Sequence, residues 1–179
     1  MDFAKLLNSV NSIKEEFPPV HLWDPELCEG VEMHIDREGN WFYQGSIIGR
    51  KKLKVLFSRI LKLENDNYFL VTPVEKVSVK VDLAPYMIVD YEVDASKTKI
   101  ILKTNLELSI PLDKDHKLEL ERVGDENIPF IEVRDGIKGF LSRSVYYSLV
   151  DIAISQENDS SEELTLKSFN CMFSLGDVV

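Results

Sequence analysis

Apolar residues recur at helical spacing in three stretches of the chain. In residues 2–16 they share one face of a helix, and Pro18 and Pro19 would end that helix. The same period returns in residues 51–63, and a further helix is predicted over residues 144–154. The apolar positions are Phe3, Leu6, Leu7, Val10 and Phe17 in the first stretch, and Leu53, Leu56, Phe57, Ile60 and Leu61 in the second. Each stretch is therefore predicted to be an amphipathic helix.

Between and after these helices, apolar and polar residues alternate, which indicates strands. Residues 31–36 and the segment from Trp41 predict a hairpin that turns at Glu38-Gly39-Asn40. Two further strands are predicted at residues 68–72 and 76–82. Short strand-like runs then follow one another, namely MIVDYEV, KIILKTN, LELSIPL, KLELERV and PFIEVRD, and LTLKSFNCMFSL predicts a single closing strand. This succession is typical of an antiparallel sheet or a partly closed barrel.

One segment pattern occurs twice. Arg37-Glu38-Gly39 aligns with Arg134-Asp135-Gly136, and Arg50 then aligns with Arg143 at the start of a predicted helix. Arg50 follows its glycine by 11 residues and Arg143 follows by seven, so the second copy is four residues shorter, which a surface connection tolerates. Each copy predicts a strand, a tight turn with glycine, a second strand and an amphipathic helix. We interpret the pair as an internal duplication.

The fold class follows from these elements. We predict an α+β fold of two domains that carry the repeated hairpin-plus-helix motif, with a mainly antiparallel, barrel-like β-domain in the C-terminal half. The predicted divisions are an N-terminal helix at 1–19, an α+β domain at 20–83 and a β-rich domain at 84–179.

Composition and charge narrow the classes of function. Hydrophobic residues make up 44% of the 179 positions, which is enough for a packed core. A formal net charge of −10 argues against extended binding to DNA or RNA, although local arginines still suit a small anion. No apolar run approaches the length of a membrane span, the N-terminus does not resemble a signal peptide, and Cys28 and Cys171 are too few for a disulfide framework. We therefore expect a cytoplasmic protein without a membrane association.

The chain shows no recognisable catalytic or metal-binding motif. GSIIGRKK resembles a phosphate-binding loop, but its glycine spacing is one residue short and no Ser or Thr follows the lysine. The three histidines lack the spacing of a metal site, and no GxSxG motif is present. We expect no cofactor and no metal, and the pattern favours a protein without enzyme activity.

The two arginines of the repeat are the leading candidates for ligand binding. A helix N-terminus presents N–H groups and a partial positive charge, and an adjacent guanidinium adds a bidentate donor. Arg50 and Arg143 would therefore suit a phosphate or carboxylate, whereas the alternative is that both are merely exposed. Arg134, which opens the second copy of the repeat, is included with them.

Further candidates lie in LVTPVEK and among the aromatic residues. Thr72, Glu75 and Lys76 stand at a predicted strand end, where Glu75 and Lys76 would bind a ribose and a phosphate or, as the favoured alternative, pair with each other across the turn. Trp41 and Tyr43 share one strand face, where an aromatic ring would stack on a base or, as the favoured alternative, belong to the core. Tyr43 or Tyr147 would supply the stacking surface for a ligand.

Residues 18–176 resemble an uncharacterised bacterial family, domain of unknown function 1285. The resemblance is carried by ELCEGVEMHIDREGNWFYQGSIIGRKKLKVLFSRIL, by NYFLVTPVEKVSVKV, by RDGIKGFLSRSVYYSLVDIA and by FNCMFSLGD. Ile47 and Ser144 stand where many members have proline. The resemblance implies two domains with repeated motifs, a second domain superficially similar to pleckstrin-homology folds, and a cleft between the domains for a nucleotide-like ligand. It also implies a role in signalling, including oxidative stress, and implies no catalytic residue.

Three hypotheses remain open at this point. The leading one is a non-catalytic binding protein that senses an anionic, nucleotide-like molecule between its two halves. The second is an adaptor that binds a protein partner in signalling and takes no small ligand. The third is a hydrolase or transferase of unfamiliar design, which would need a cluster of perturbed titratable groups.

Overall fold

A computed structural model describes Asn8, residues 17–156 and residues 163–177. The chain divides into two compact units, unit 1 from Met1 to Pro85 and unit 2 from Tyr86 to Val179. The described residues are mostly β-strand with two α-helices, so the prediction of a two-domain α+β fold is confirmed. Apart from Asn8, the predicted helix at 2–16 lies outside the described residues.

Unit 1 is built on a six-stranded sheet. Its strands lie in the order β3-β2-β1-β6-β5-β4, in which β1 and β6 are parallel and the other neighbours are antiparallel. The elements are a 3₁₀ turn at Val20–Leu22, β1 (Met33–Ile35), β2 (Trp41–Tyr43), β3 (Ser46–Ile47), α1 (Lys51–Arg59), β4 (Leu61–Glu64), β5 (Asn67–Val71) and β6 (Lys76–Val81). The predicted strands of this half are therefore present.

The core of unit 1 lies against one face of the sheet. On this face lie the apolar residues of strands in which apolar and polar residues alternate. Trp41 on β2 is fully buried, and its ring stacks on Phe57 of α1 with the ring centroids 6.4 Å apart. The buried strand residues on this face include Met33, Ile35, Leu61, Leu70, Val77 and Val79. Alternation along each strand, with helix α1 supplying Phe57, accounts for this burial.

The predicted helix at 51–63 is too long. Helix α1 ends at Arg59, and Leu61 begins β4, which pairs with β5. Asn65 and Asp66 both have positive φ, 49° and 61°, which is the backbone of a two-residue hairpin turn. The pair therefore closes the hairpin β4-β5. Leu61 is buried on β4, and an apolar residue at this position satisfies the helical period and the strand pattern alike.

Unit 2 contains a second six-stranded sheet in the order β10-β11-β12-β7-β8-β9, in which only the pair β12 and β7 is parallel among the described strands. Its elements are β7 (Tyr86–Val93), β8 (Ile100–Thr104), β9 (Ser109–Pro111), β10 (Leu118–Val123), β11 (Glu126–Arg134), β12 (Ile137–Leu141), α2 (Arg143–Gln156), β13 (Glu163–Ser168) and β14 (Cys171–Asp177). As described, this sheet is open, with β10 and β9 at its edges.

Helix α2 and the separate hairpin β13-β14 pack together and contact the sheet of unit 2. Val145, Leu149 and Ala153 recur every four residues on α2 and are buried. The stretch predicted as one closing strand is two strands, because Phe169 and Asn170 have positive φ of 46° and 61° and turn the chain back. This turn contains no glycine, which is why the sequence pattern did not reveal it.

The repeated motif takes the same local form in both units. Each copy is a hairpin, a helix and then a second hairpin, β4-β5 in unit 1 and β13-β14 in unit 2. The four additional residues of the first copy accommodate a turn at Gln44-Gly45, where both residues have positive φ, and the short strand β3. The two first hairpins join their sheets through opposite strands: β1 pairs with β6, whereas β12 pairs with β7.

Candidate functional site

The start of α1 concentrates positive charge. Arg50 is the N-cap residue in an extended conformation, and no side chain caps this helix end by a hydrogen bond. Lys51, Lys52 and Lys54 follow in the first turn, which contains no acidic residue. Arg50, Lys51 and Lys52 are exposed. Because a helix N-terminus carries partial positive charge, this arrangement is locally unfavourable and suits an anion.

The start of α2 differs from its counterpart. The Val145 N–H donates to the Ser142 hydroxyl at 3.4 Å, which is the contact of a capping serine. The Arg143 side chain is 90% exposed, and its Nη2 lies 3.7 Å from Glu126 Oε1. A cap and an adjacent carboxylate therefore offset part of the positive potential at α2, whereas the first turn of α1 has no acidic residue and its N-cap side chain makes no capping hydrogen bond.

In LVTPVEK, Thr72 closes a turn. Its side chain is buried, and its hydroxyl accepts hydrogen bonds from the Glu75 N–H at 3.1 Å and the Val74 N–H at 3.4 Å. The Thr72 N–H donates to the Glu75 carbonyl at 2.8 Å. This hydroxyl serves the turn itself, so the structure gives Thr72 a structural role.

Lys76 pairs with Glu64 across the sheet. Its Nζ lies 3.0 Å from Glu64 Oε2, 3.6 Å from Asp24 and 4.6 Å from the centre of the Phe69 ring. The favoured interpretation of a Glu75–Lys76 ion pair is wrong, because the strand pairing turns Lys76 toward β4. Glu75 Oε2 is buried and has no hydrogen-bond partner among the described residues.

Unit 1 does not bring Arg50 and LVTPVEK together. The Val71 N–H donates to the Ile60 carbonyl at 2.9 Å, so the turn after β5 lies beside the C-terminal end of α1. Arg50 begins the same helix. Nine helical residues span about 13 Å at 1.5 Å per residue, so the two groups lie at opposite ends of α1.

The remaining candidates have varied surroundings. Trp41 is core, as its favoured interpretation predicted, whereas Tyr43 is half-buried on β2 opposite Met33. Tyr147 is 64% exposed on α2, and its ring and that of Tyr146 are arranged edge to face with their centroids 5.8 Å apart. The Arg134 side chain is mostly buried, and its Nη1 bonds Asp135 at 2.9 Å. The Tyr147 ring is therefore accessible to a ligand, whereas the Arg134 guanidinium is bound to the adjacent Asp135.

Sequence reasoning missed a contact between His34 and Asp82. The His34 Nε2 lies 2.8 Å from Asp82 Oδ2, and the imidazole stacks on Phe42 with centroids 5.7 Å apart. The hydrogen bond from His34 lowers the pKa of the Asp82 carboxyl. No local pattern could reveal a contact 48 residues apart that depends on parallel pairing of β1 with β6. No cluster of three or more potential metal ligands occurs among the described residues.

The chain matches models of one protein family and solved structures of the same family. The N-terminal domain model of DUF1285, a domain of unknown function, matches residues 18–84, and its C-terminal domain model matches residues 85–175. The chain belongs to the DUF1285 family. This DUF1285 protein is 36% identical to the solved DUF1285 family protein of Silicibacter pomeroyi DSS-3, with a TM-score of 0.81 over 97% of this chain and 95% of that one.

A second solved DUF1285 family protein, from Shewanella baltica OS155, is 30% identical, with a TM-score of 0.57 over 70% of this chain and 94% of that one. A search of curated proteins finds no match.

In this DUF1285 protein the longest described helix has 14 residues, and none of the described helices meets the length and apolarity of a membrane span.

The Lys76–Glu64 contact gives a prediction for pH. The hydrogen bond from Lys76, and secondarily that from Lys62, lowers the pKa of the Glu64 carboxyl. A depressed folded-state pKa contributes stability that is present above the unfolded value of about 4.3 and is lost as the pH falls through the folded value. In a carboxyl ¹³C NMR titration, we expect Glu64 to titrate below its ordinary range and to return toward it in Lys76→Met. A Lys99→Met control should leave it unchanged; an unshifted wild-type Glu64 would contradict the contact.

Proposed function

We propose that this DUF1285 protein binds a small anionic, nucleotide-like molecule and that the start of α1 holds the anionic group. The observation that carries this proposal is the run of cations at an uncapped helix N-terminus. Arg50 would supply a bidentate guanidinium, and Lys51 and Lys52 would add charge beside the helix N–H groups.

The unfavourable local electrostatics support the proposal. Acidic residues stabilise a first helical turn by roughly 0.3–1 kcal/mol, and basic residues there act in the opposite direction. The chain has 31 acidic residues and 21 basic residues, yet the first turn of α1 contains only the basic kind among its charged side chains. A bound phosphate would neutralise this repulsion and would satisfy N–H groups at the helix end.

Other predicted contacts stay predictions. Arg143 would bind the same kind of ligand in competition with its contact to Glu126. Tyr43 or Tyr147 would stack on a base, and Tyr147 has the more accessible ring. Glu75 would accept a hydrogen bond from a ribose hydroxyl. The predicted role in signalling, the cytoplasmic location and the similarity of unit 2 to pleckstrin-homology folds belong to this proposal as well.

Thermal unfolding tests the proposal. We expect AMP, ADP, ATP or NAD to raise the midpoint, since a ligand at 100 times its Kd adds about 2.7 kcal/mol of stability. The double variant Arg50→Ala/Lys52→Ala should lose most of that increase, and Arg143→Ala should show whether the second arginine contributes. The matched control Lys99→Ala/Lys97→Ala removes two exposed cations from unit 2 and should retain the full increase.

Two results would contradict the anion site. One is an absence of stabilisation by every nucleotide and by pyrophosphate. The other is full stabilisation in the Arg50→Ala/Lys52→Ala variant. Conversion of a stabilising nucleotide into product, followed by chromatography, would instead favour the enzyme hypothesis.

The adaptor hypothesis has one observation in its favour. Strand β3 is an edge of its sheet, and Ile47 on this strand is 62% exposed. An unpaired strand edge with an apolar side chain is suited to pairing with an added strand. If no anion stabilises the protein, an Ile47→Lys substitution that abolishes association with a protein partner would favour this second function.

A further inference from the structure

A cavity of about 380 Å³ lies in unit 2 on the face of β10, β11 and β12 that is opposite the buried Ile131 and Val133. Phe130 on β11 lies directly opposite Glu119 on β10 and Phe140 on β12. Such opposed residues share one face of a sheet, so Phe130 forms an apolar floor between polar walls. The volume falls at the lower end of the range for small-molecule sites, which run from about 300 to 1,000 Å³.

The charges around this cavity are of both signs. Three lysines and four carboxylates line it: Lys114, Lys117, Lys138, Asp115, Glu119, Glu121 and Glu132. This near balance disfavours a polyanion such as a nucleotide, because each added negative charge would meet more carboxylates than ammonium groups. It suits a ligand that itself carries one charge of each sign.

Some of these charges are already paired. Lys138 forms an ion pair with Glu121, and Glu132 accepts a hydrogen bond from the Gly136 N–H at 3.0 Å. The side chains of Lys114, Lys117, Asp115 and Glu119 form no ion pair or hydrogen bond with another described residue. Two cations and two carboxylates are therefore available to a ligand.

The strand geometry places the available charges side by side. Lys117 precedes Glu119 by two residues, so both side chains emerge on the face that carries Phe130. Their Cα atoms lie about 7 Å apart on an extended backbone. An α-carboxylate and an α-ammonium group, which are attached to one carbon, fit between such a pair. A side chain on that carbon would reach the Phe130 ring.

The cover over Phe130 is weak. Lys138 on β12 reaches Glu121 on β10 across the intervening strand β11, and this ion pair lies over the floor of the cavity. Both side chains are more than a third exposed, at 43% and 37%. Phe130 itself is only 5% exposed, so a ligand must displace this ion pair to contact the ring. Exposed ion pairs contribute little net stability, so this displacement would cost little.

We propose that this cavity binds a small zwitterion with an aromatic or apolar side chain, that is, a free amino acid or a dipeptide. Lys117 and Lys114 hold the carboxylate, Glu119 holds the ammonium group, and Phe130 contacts the side chain. The lining of this cavity lies in unit 2 and includes no residue of α1, and the cavity takes a different class of ligand, so either proposal stands without the other.

Amide NMR titration with L-phenylalanine tests this inference. We expect saturable shifts for residues of β10–β12, with affinity weakened roughly three- to tenfold in Glu119→Gln and in Lys117→Gln. The matched exposed controls Glu29→Gln and Lys99→Gln should bind as the wild type does. N-acetyl-phenylalanine amide, which lacks both charges, should cause no saturable shift.

Three outcomes would overturn the inference: no saturable shift with L-phenylalanine or L-leucine, equal binding of the uncharged analogue, or shifts confined to residues outside 114–141. Thermal unfolding of each variant checks that it is folded. A Lys138→Gln variant gives an independent readout, because loss of the covering ion pair should strengthen binding or leave it unchanged. Weaker binding in that variant would also contradict the proposed arrangement.

Discussion

Replacing Trp41 with alanine is expected to lower the free energy of unfolding of unit 1 by about 3–5 kcal/mol. The indole is fully buried and stacks on Phe57 of α1, so its removal opens a cavity between the sheet and the helix. Its Nε1 has no hydrogen-bond partner among the described residues, so the substitution removes no hydrogen bond within the described structure. The loss should therefore come from apolar contacts. Urea unfolding followed by circular dichroism measures it.

Trp23→Ala supplies the matched control for this prediction. Trp23 is half-exposed next to the 3₁₀ turn, so the same truncation there should cost much less. Trp41→Phe should recover part of the stability, because it keeps an aromatic ring opposite Phe57 and removes an unpaired N–H group. A loss below about 1 kcal/mol in Trp41→Ala, or an equal loss in Trp23→Ala, would show that Trp41 does not organise this core.

Gly139→Val is expected to destabilise unit 2 by about 3 kcal/mol or more, and Gly139→Ala by about 1–3 kcal/mol. Gly139 lies opposite Tyr86 where β12 and β7 run parallel. A Cβ atom there would lie 3.0 Å from Tyr86 Cβ, 3.2 Å from the Tyr86 carbonyl oxygen and 3.2 Å from Val133 Cγ2. Two of these neighbours belong to or adjoin the backbone, so the strands themselves must separate. Thermal unfolding would report the change.

Gly49→Ala is the control for the Gly139 substitutions. A Cβ at Gly49 has no heavy atom within 4 Å, and the residue does not require positive φ. This substitution should be neutral or slightly stabilising, since alanine restricts the unfolded chain more than glycine does. If Gly139→Ala were equally harmless, close approach of β12 and β7 would not be what requires glycine at this position.

Much of the fold follows from local patterns in the sequence. Alternation in residues 76–82 and the helix predicted over residues 144–154 correspond to strand β6 and helix α2. The errors occurred where a turn lacked glycine. Asn65-Asp66 and Phe169-Asn170 reverse the chain with two non-glycine residues at positive φ, which the sequence pattern does not distinguish from a helix end or a continuing strand.

The candidate site was less predictable because its partners are distant in sequence. Arg50 and Arg143 were located correctly at helix starts by the repeat, yet their surroundings differ through Ser142 and Glu126. The contact between Lys76 and Glu64 depends on which strands are neighbours, and alternation alone does not specify sheet order. Glu75 is adjacent to Lys76 in the sequence, but adjacency alone does not bring the two side chains together.

The two first hairpins join their sheets through opposite strands, β1 in unit 1 and β12 in unit 2. Positions in one unit therefore cannot all be matched to positions in the other. In unit 1 the three-stranded meander β4-β5-β6 comes after the helix, whereas in unit 2 the meander β7-β8-β9 comes before the hairpin. Equivalent positions therefore exist for the duplicated segment but not for the meanders. The helix and its flanking hairpins therefore cannot be exchanged between the units as one block, because β5 continues into its sheet through β6, whereas β13 and β14 form a sheet of their own.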